Sequence, residues 1–265
     1  MFARGDESNG KQLHRNGDVT TLPGMSEGGT VGAMKPSLNH IEAWVFDLDN
    51  TLYPASSNLF AEIDRRMGEF IASELRVDAV EARRIQKDYF RDFGTTLRGL
   101  MVNHAIEPTL FLEYVHAIDV SILSPDPALE AALSRLAGPK IVFTNGSLRH
   151  AETVMDRLGI AHHFEGIFDI AAADYISKPD PAAYRALVHR HALAPATTAI
   201  FEDLTRNLAP AAAMGMTTVW VRNVSPWSEV VTHAETPAHV HHETEDLVAW
   251  LEQAIGARRG GPARR

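Results

Sequence analysis

Apolar and polar positions change period three times along the chain. Trp44-Val45-Phe46 is an apolar run of strand-forming residues that stops at Asp47-Leu48-Asp49-Asn50-Thr51 and is closed by Leu52-Tyr53-Pro54. From about 58 to 135 the apolar positions recur at helical spacing: Leu59, Phe60, Ile63, Met67, Phe70 and Ile71, then Val77, Val80, Ile85, Tyr89 and Phe90. Gly94, Gly99 and Pro108 punctuate this stretch, another amphipathic helix begins over Leu110 to Ile118, and Ala128–Ala137 leads back towards a strand. Strand and helix then alternate: strands at Lys140–Thr144, Ile167–Ile170, Thr198–Phe201 and Thr217–Val221, helices at His150–Leu158, Pro181–Ala192 and Leu204–Met214. A short edge strand at His239–His242 and a helix at Asp246–Ile255 complete the pattern.

Such alternation predicts an α/β fold, a doubly wound parallel sheet with crossover helices. The expected layout is a core made of residues 41–54 and 133–256, with a helical insertion over 55–132. Residues 1–40, rich in Gly, Asn, Ser and charge, have no periodicity and read as a disordered leader, with Met25 and Met34 as alternative starts nearer the first strand; 257–265 reads as a flexible basic tail.

Composition narrows the chemistry. The chain has 265 residues, 45% of them hydrophobic, enough for a sizeable core. With no cysteine, disulfides, thiolate catalysis and thiolate zinc sites are excluded. A net charge of -9, from 34 acidic against 25 basic residues, disfavours a nucleic-acid polymer as partner and leaves small anions bound locally. No apolar run reaches membrane-spanning length and no secretory signal is present, so the expectation is a cytoplasmic protein without a membrane partner; no protein partner is readable.

Four stretches that end or follow strands carry candidate chemistry. Asp47 and Asp49 lie two apart at the end of a buried strand, where a carboxylate pair is costly unless a divalent cation accompanies it. A plain acidic turn is the simpler reading of the same residues, while an EF-hand loop is a poor match because Leu52 and Asn58 stand where Gly and Glu are needed. Thr144 with the amides of Asn145 and Gly146 suits phosphate oxygens at a strand-to-helix turn, or else simply caps a helix. Lys178, between a turn and Pro179-Asp180-Pro181, offers either a fixed cation for a multiply charged anion or a solvated surface charge. Glu202-Asp203 repeats the acidic logic after another buried strand, with a helix cap by Asp203 as the alternative. His189, His191, His239, His241 and His242 read as surface histidines, since no acidic partner is placed to orient them as metal ligands.

In order along the chain, Asp47-Leu48-Asp49-Asn50-Thr51, Thr144-Asn145-Gly146, Lys178-Pro179 and Glu202-Asp203 resemble the four motifs of the haloacid dehalogenase-like (HAD) hydrolase superfamily, over nearly everything after residue 40. The insertion is similar to the helical cap of the subgroup whose cap follows strand one. Leu52-Tyr53-Pro54 and Phe93-Gly94-Thr95-Thr96-Leu97-Arg98-Gly99-Leu100 resemble the pyrimidine 5′-nucleotidase branch. The resemblance implies a Rossmann-like core and a magnesium-dependent phosphomonoesterase acting on a small phosphorylated substrate. It makes Asp47 the nucleophile that forms a phosphoaspartyl intermediate and Asp49 the acid and base. Magnesium would be held by Asp47, Asp203 and the Asp49 carbonyl, with Glu202 behind them. Thr144, Lys178, Asn145 and Gly146 would hold the phosphoryl group. Asn207 matches a polar position of the fourth motif, and Arg98 is either a substrate contact or a helix-surface residue. Asp49 favours phosphate over halide, because an alkoxide leaving group needs a proton and a halide does not. A phosphomutase, a phosphatase of sugar phosphates or phosphoglycolate, and a non-catalytic ligand-binding protein of this fold are the alternatives.

Overall fold

The structure, a computed structural model, describes residues 38–223 and 236–259. The expected leader up to residue 37 and the end of the basic tail lie outside them. Six short strands form one parallel sheet: β1 (Ala43–Phe46), β2 (Lys140–Phe143), β3 (Gly166–Phe168), β4 (Thr198–Glu202), β5 (Thr217–Val221) and β6 (His242–Thr244), in the order β3-β2-β1-β4-β5-β6. β1, β2 and β4 are buried along their whole length, as a strand covered on both faces must be. Side chains alternate between the two faces: Trp44, Phe46 and Leu48 enter one core cluster, where Phe46 stacks on Phe201 at 4.5 Å, while Ala43 and Val45 enter the other with Ile141 and Phe143. Chain order reverses direction between β1 and β4, so a crevice opens beyond the carboxyl ends of these strands.

Four helices follow β1: α1 (Leu59–Leu75), α2 (Ala79–Phe93), α3 (Thr96–His104) and α4 (Pro108–Val115). Their apolar stripes meet in a third cluster, with Phe70 edge-on to Phe111 and Ile63, Leu97 and Val115 beside them. Local chemistry sets their ends. Asp78 and Thr95 accept the Glu81 and Arg98 amides as caps of α2 and α3, Pro108 occupies the first turn of α4, and Arg76 ends α1 in the left-handed region. α5 (Pro127–Arg135), expected to straddle the end of the insertion, packs with the core: Leu129, Ala132 and Leu133 join the cluster of Trp44 and Phe46, against α9 (Leu247–Arg259). The remaining helices, α6 (Leu148–Leu158), α7 (Pro181–Arg190) and α8 (Thr205–Ala213), are the crossovers of the sheet.

Three expectations shift. The edge strand begins at His242, not His239, because the Thr218 hydroxyl donates to the His239 carbonyl and accepts from the His241 amide, holding that stretch by a side chain before the ladder starts. Helix α9 runs to Arg259, past the start of the expected tail. Leu38, placed in the leader, is partly buried against the core. Among the described residues no helix is long and apolar enough to cross a membrane.

Candidate active site

The ladder between β1 and β4 continues one residue past β1, where the Asp47 amide bonds to the Phe201 carbonyl. Period two then puts Asp47 on the face opposite Leu48, the side of Phe143. Asn50 turns the chain with a φ of 62°, a left-handed conformation that Asn tolerates better than most residues. Across from Asp47 lies Lys178, 2% exposed, with all three ammonium donors used: on Asp47 Oδ1 at 2.7 Å, on Glu202 Oε2 at 2.7 Å and on the Phe143 carbonyl at 2.8 Å. It is no surface lysine. Its backbone is fixed by Asn145, whose side chain accepts from the Lys178 amide at 2.9 Å and donates to the Lys178 carbonyl at 3.3 Å. Asn145 thus joins the second and third motifs.

Asp47, Glu202 and Asp203 offer carboxylate oxygens within 4.8 Å of one another, with a single ammonium among them. The result is a surplus of buried negative charge. Burial first, then the Glu202 charge, push Asp47 up to about 7 despite Lys178, and burial with Glu202 and Asp47 raises Asp203 well above the carboxylate range. A hard divalent cation matches this all-oxygen set and would relieve the repulsion. Glu202 is poorly suited to be one of its ligands: it is 1% exposed, Oε2 takes Lys178, and Oε1 takes the Asn207 side chain at 3.0 Å and the Leu204 amide at 3.3 Å. Asn207 is buried and holds Glu202, which gives that polar position a structural task.

Asp49 faces another set of partners. Its Oδ1 accepts from the Tyr53 hydroxyl at 2.5 Å and from His150 Nε2 at 2.8 Å. Burial alone would raise its pKa, but the His150 charge and these hydrogen bonds bring Asp49 below the ordinary aspartate value. His116 stacks on His150 at 4.3 Å with nearly parallel rings, and its Nδ1 meets the Ser147 hydroxyl at 2.9 Å. Sequence reading missed Tyr53, His116 and His150, as well as Thr51, which donates to Asp47 Oδ2 at 3.0 Å, and Asn223, which donates to Asp203 at 3.3 Å. Tyr53 was within reach, being four residues from Asp49 across a turn; His150 lies 101 residues away.

Thr144 is buried, and its Oγ1 accepts from the Gly146 amide at 2.9 Å. That amide is therefore committed within the turn, so the Thr144 hydroxyl proton is the better anion donor. Arg98 does not line the cavity: with Thr95 capping α3, residues 95–97 turn inwards and Arg98 is left exposed. The histidines divide: His189 and His241 are exposed as expected, whereas His191 and His239 are half-buried and His242 is buried. His242 is buried edge-on to Trp250, His239 contacts the Thr205 carbonyl, and His241 accepts the Thr218 amide, so they hold the β5–β6 edge in place.

Asp47, Asp49, Thr144, Asn145, Gly146, Lys178 and Asp203 all border one cavity of about 120 Å³. Its opposite wall comes from the insertion and is apolar: Phe60, Ile63, Met67, Phe90, Leu97 and Phe111, interrupted by Thr95, Thr96 and His116.

The sequence profile of a family described as haloacid dehalogenase-like hydrolase matches residues 41–215, which spans all four motifs. The chain belongs to the haloacid dehalogenase-like hydrolases. It is also 31% identical over 193 residues, 66% of its own length, to phosphate metabolism protein 8 of Saccharomyces cerevisiae, of which the match covers 60%. Solved structures of a phosphatase, a dehalogenase and a further hydrolase share its fold. A HAD phosphatase of Thermococcus onnurineus superposes with a TM-score of 0.56 at 16% identity, covering 83% of this chain and all of that one. An L-2-haloacid dehalogenase of Xanthobacter autotrophicus gives 0.51 at 16%, covering 82% and 99%, and a HAD-hydrolase of Bacillus subtilis solved with magnesium bound gives 0.52 at 14%, covering 82% and 98%. At such identities the likeness establishes the fold alone.

Proposed function

We propose that this HAD-like hydrolase is a magnesium-dependent phosphomonoesterase that works through a phosphoaspartyl intermediate on pyrimidine nucleoside 5′-monophosphates. The observation that carries the phosphatase reading is Asp49, a second carboxylate beside Asp47 that borders the cavity and whose Oδ2 accepts from no described residue. Displacing halide from carbon needs no acid there, whereas expelling an alkoxide from phosphorus does. Asp47 attacks phosphorus as the bond to the leaving oxygen breaks; Asp49 gives that oxygen its proton and then takes one from the water that cleaves the acyl phosphate. The Thr144 hydroxyl donates to the phosphoryl oxygens, while the Lys178 ammonium, bonded to Asp47, Glu202 and the Phe143 carbonyl, offsets their charge from beside the nucleophile. Asp47, Asp203 and the Asp49 carbonyl are the residues that would hold magnesium, which supplies further charge neutralisation at the phosphoryl group when bound.

Support for a nucleoside comes from the far wall of the cavity. Three phenylalanines and several aliphatic side chains suit the flat faces of a base, and no cationic side chain among the described lining residues from the insertion would meet a carboxylate or a second phosphate. The same wall has few partners for the hydroxyls of a sugar phosphate. The test is kcat/KM for UMP, CMP, AMP, GMP, glucose 6-phosphate and phosphoglycolate at saturating magnesium. UMP and CMP are expected to lead; a sugar phosphate or phosphoglycolate ahead of every nucleotide would replace the nucleotidase reading by a general phosphatase.

A further inference from the structure

The two hydrogen bonds on Asp49 fall on the same oxygen. Asp49 is acceptor-only when ionised, so His150 Nε2 must carry a proton in its 2.8 Å contact with Oδ1, and the Tyr53 hydroxyl donates to that atom as well. No described residue donates to Oδ2. His150 itself has little freedom: its side chain is 1% exposed, it extends from the first turn of α6, and the parallel His116 ring lies against it from the segment that returns from α4 to the core. Burial and the neighbouring His150 charge push His116 down to about 3, so this supporting ring is neutral. A buried histidine that merely satisfied its own hydrogen-bonding needs would have no reason to share one carboxylate oxygen with a tyrosine.

We propose that His150, backed by the His116 ring and assisted by Tyr53, is the positioning residue that fixes Asp49 by Oδ1 and thereby aims Oδ2 at the leaving oxygen. This rests on the phosphatase reading and adds to it the geometry that makes the acid effective. In the first half-reaction the proton leaves Asp49 Oδ2 for the departing oxygen while the Asp47–phosphorus bond forms; in the second, Oδ2 takes a proton from the attacking water. His150 and Tyr53 keep their protons throughout.

A general acid matters most when the leaving group is basic, so a loosened acid makes the rate depend more steeply on leaving-group basicity. The experiment compares kcat/KM, which reports leaving-group departure, for a graded series of substituted phenyl phosphates with magnesium, using wild type, His150→Leu, His150→Gln and Tyr53→Phe. Circular dichroism verifies that each variant is folded. His150→Leu is expected to lose roughly tenfold more on the most basic leaving group than on the least basic. Gln, which keeps an N–H donor, should recover most of that difference, and Tyr53→Phe should steepen the dependence more mildly. Lines parallel to wild type in His150→Leu and Tyr53→Phe overturn the positioning role, and Tyr53→Phe alone decides it if His150→Leu does not fold. Wild type inert on the whole series overturns the phosphatase reading itself, a result distinct from an unaltered slope in an active enzyme.

Discussion

Asp47 and Lys178 share a 2.7 Å ion pair, yet removing one should act on stability in the opposite sense from removing the other. Lys178 bonds to both Asp47 and Glu202 at 2.7 Å, so Lys178→Met leaves these buried carboxylates without their bonded cation and is expected to cost about 3–5 kcal/mol as well as activity. Asp47→Asn removes a charge that its surroundings already disfavour, as its pKa of about 7 indicates, so it should melt no lower than wild type above neutral pH while turnover falls at least ~100-fold. Thermal melts of the two variants beside phosphate-release assays check both halves; similar destabilisation in each contradicts this charge balance. Asp47, Thr144 and Glu202-Asp203 were legible because each sits where an apolar run stops at a strand end, and Lys178 because Pro179-Asp180-Pro181 follows it, all local signals. His150 and His116 were not, since nothing in the neighbourhood of either announces that burial and a partner on another element will join them to Asp49.

The insertion is tied to the core by more than its two connections. Arg206 on α8 donates to the carbonyls of Phe90 at 3.1 Å and Gly94 at 2.8 Å, with its guanidinium 3.8 Å from the centre of the Phe90 ring. Gly94, at a φ of 85°, brings the α2–α3 turn so near the Lys178 loop that a Cβ there would meet the Lys178 carbonyl at 3.3 Å. Arg206→Ala frees the end of α2 beside a cavity wall, so the expectation is a several-fold rise in KM and a loss of roughly 1–3 kcal/mol, read by steady-state kinetics and denaturant melts. An unchanged KM would show that this link does not hold the wall. Helix and strand identities follow well from periodicity, but which body a helix covers does not. α5 is amphipathic whichever surface it meets, and only the packing of Leu129 and Leu133 against the sheet's cluster assigns it to the core. The edge strand slipped by three residues because Thr218, a residue of the neighbouring strand, decides where pairing starts.

Over the whole molecule, the sheet order β3-β2-β1-β4-β5-β6 gathers four distant motifs at one end, and with them an excess of carboxylate. Asp47 binds its proton more tightly in the folded than in the unfolded chain, so without a cation it costs stability progressively as pH rises from 3.8 through about 7, and Asp203 acts in the same direction. Asp49, held below its ordinary value, has the opposite sign, and its contribution is lost only under acid. Magnesium should therefore raise the melting temperature more near pH 8 than near pH 5, by roughly the ligand-linked term RT ln(1 + [Mg]/Kd), and Asp203→Asn should shrink that difference. Equal shifts at both pH values would place the cation elsewhere. The parallel α/β architecture was legible from the alternation of elements, whereas the charge imbalance emerges only once the strands are ordered side by side. The central step of the proposed mechanism is the covalent bond between phosphorus and Asp47. Rapid acid quench of the enzyme with magnesium and UMP carrying a labelled phosphate, followed by peptide mapping, tests it most directly: the label should appear on the peptide holding Asp47 and vanish in Asp47→Asn, whereas phosphate release from wild type with no label on Asp47 at any quench time would contradict it.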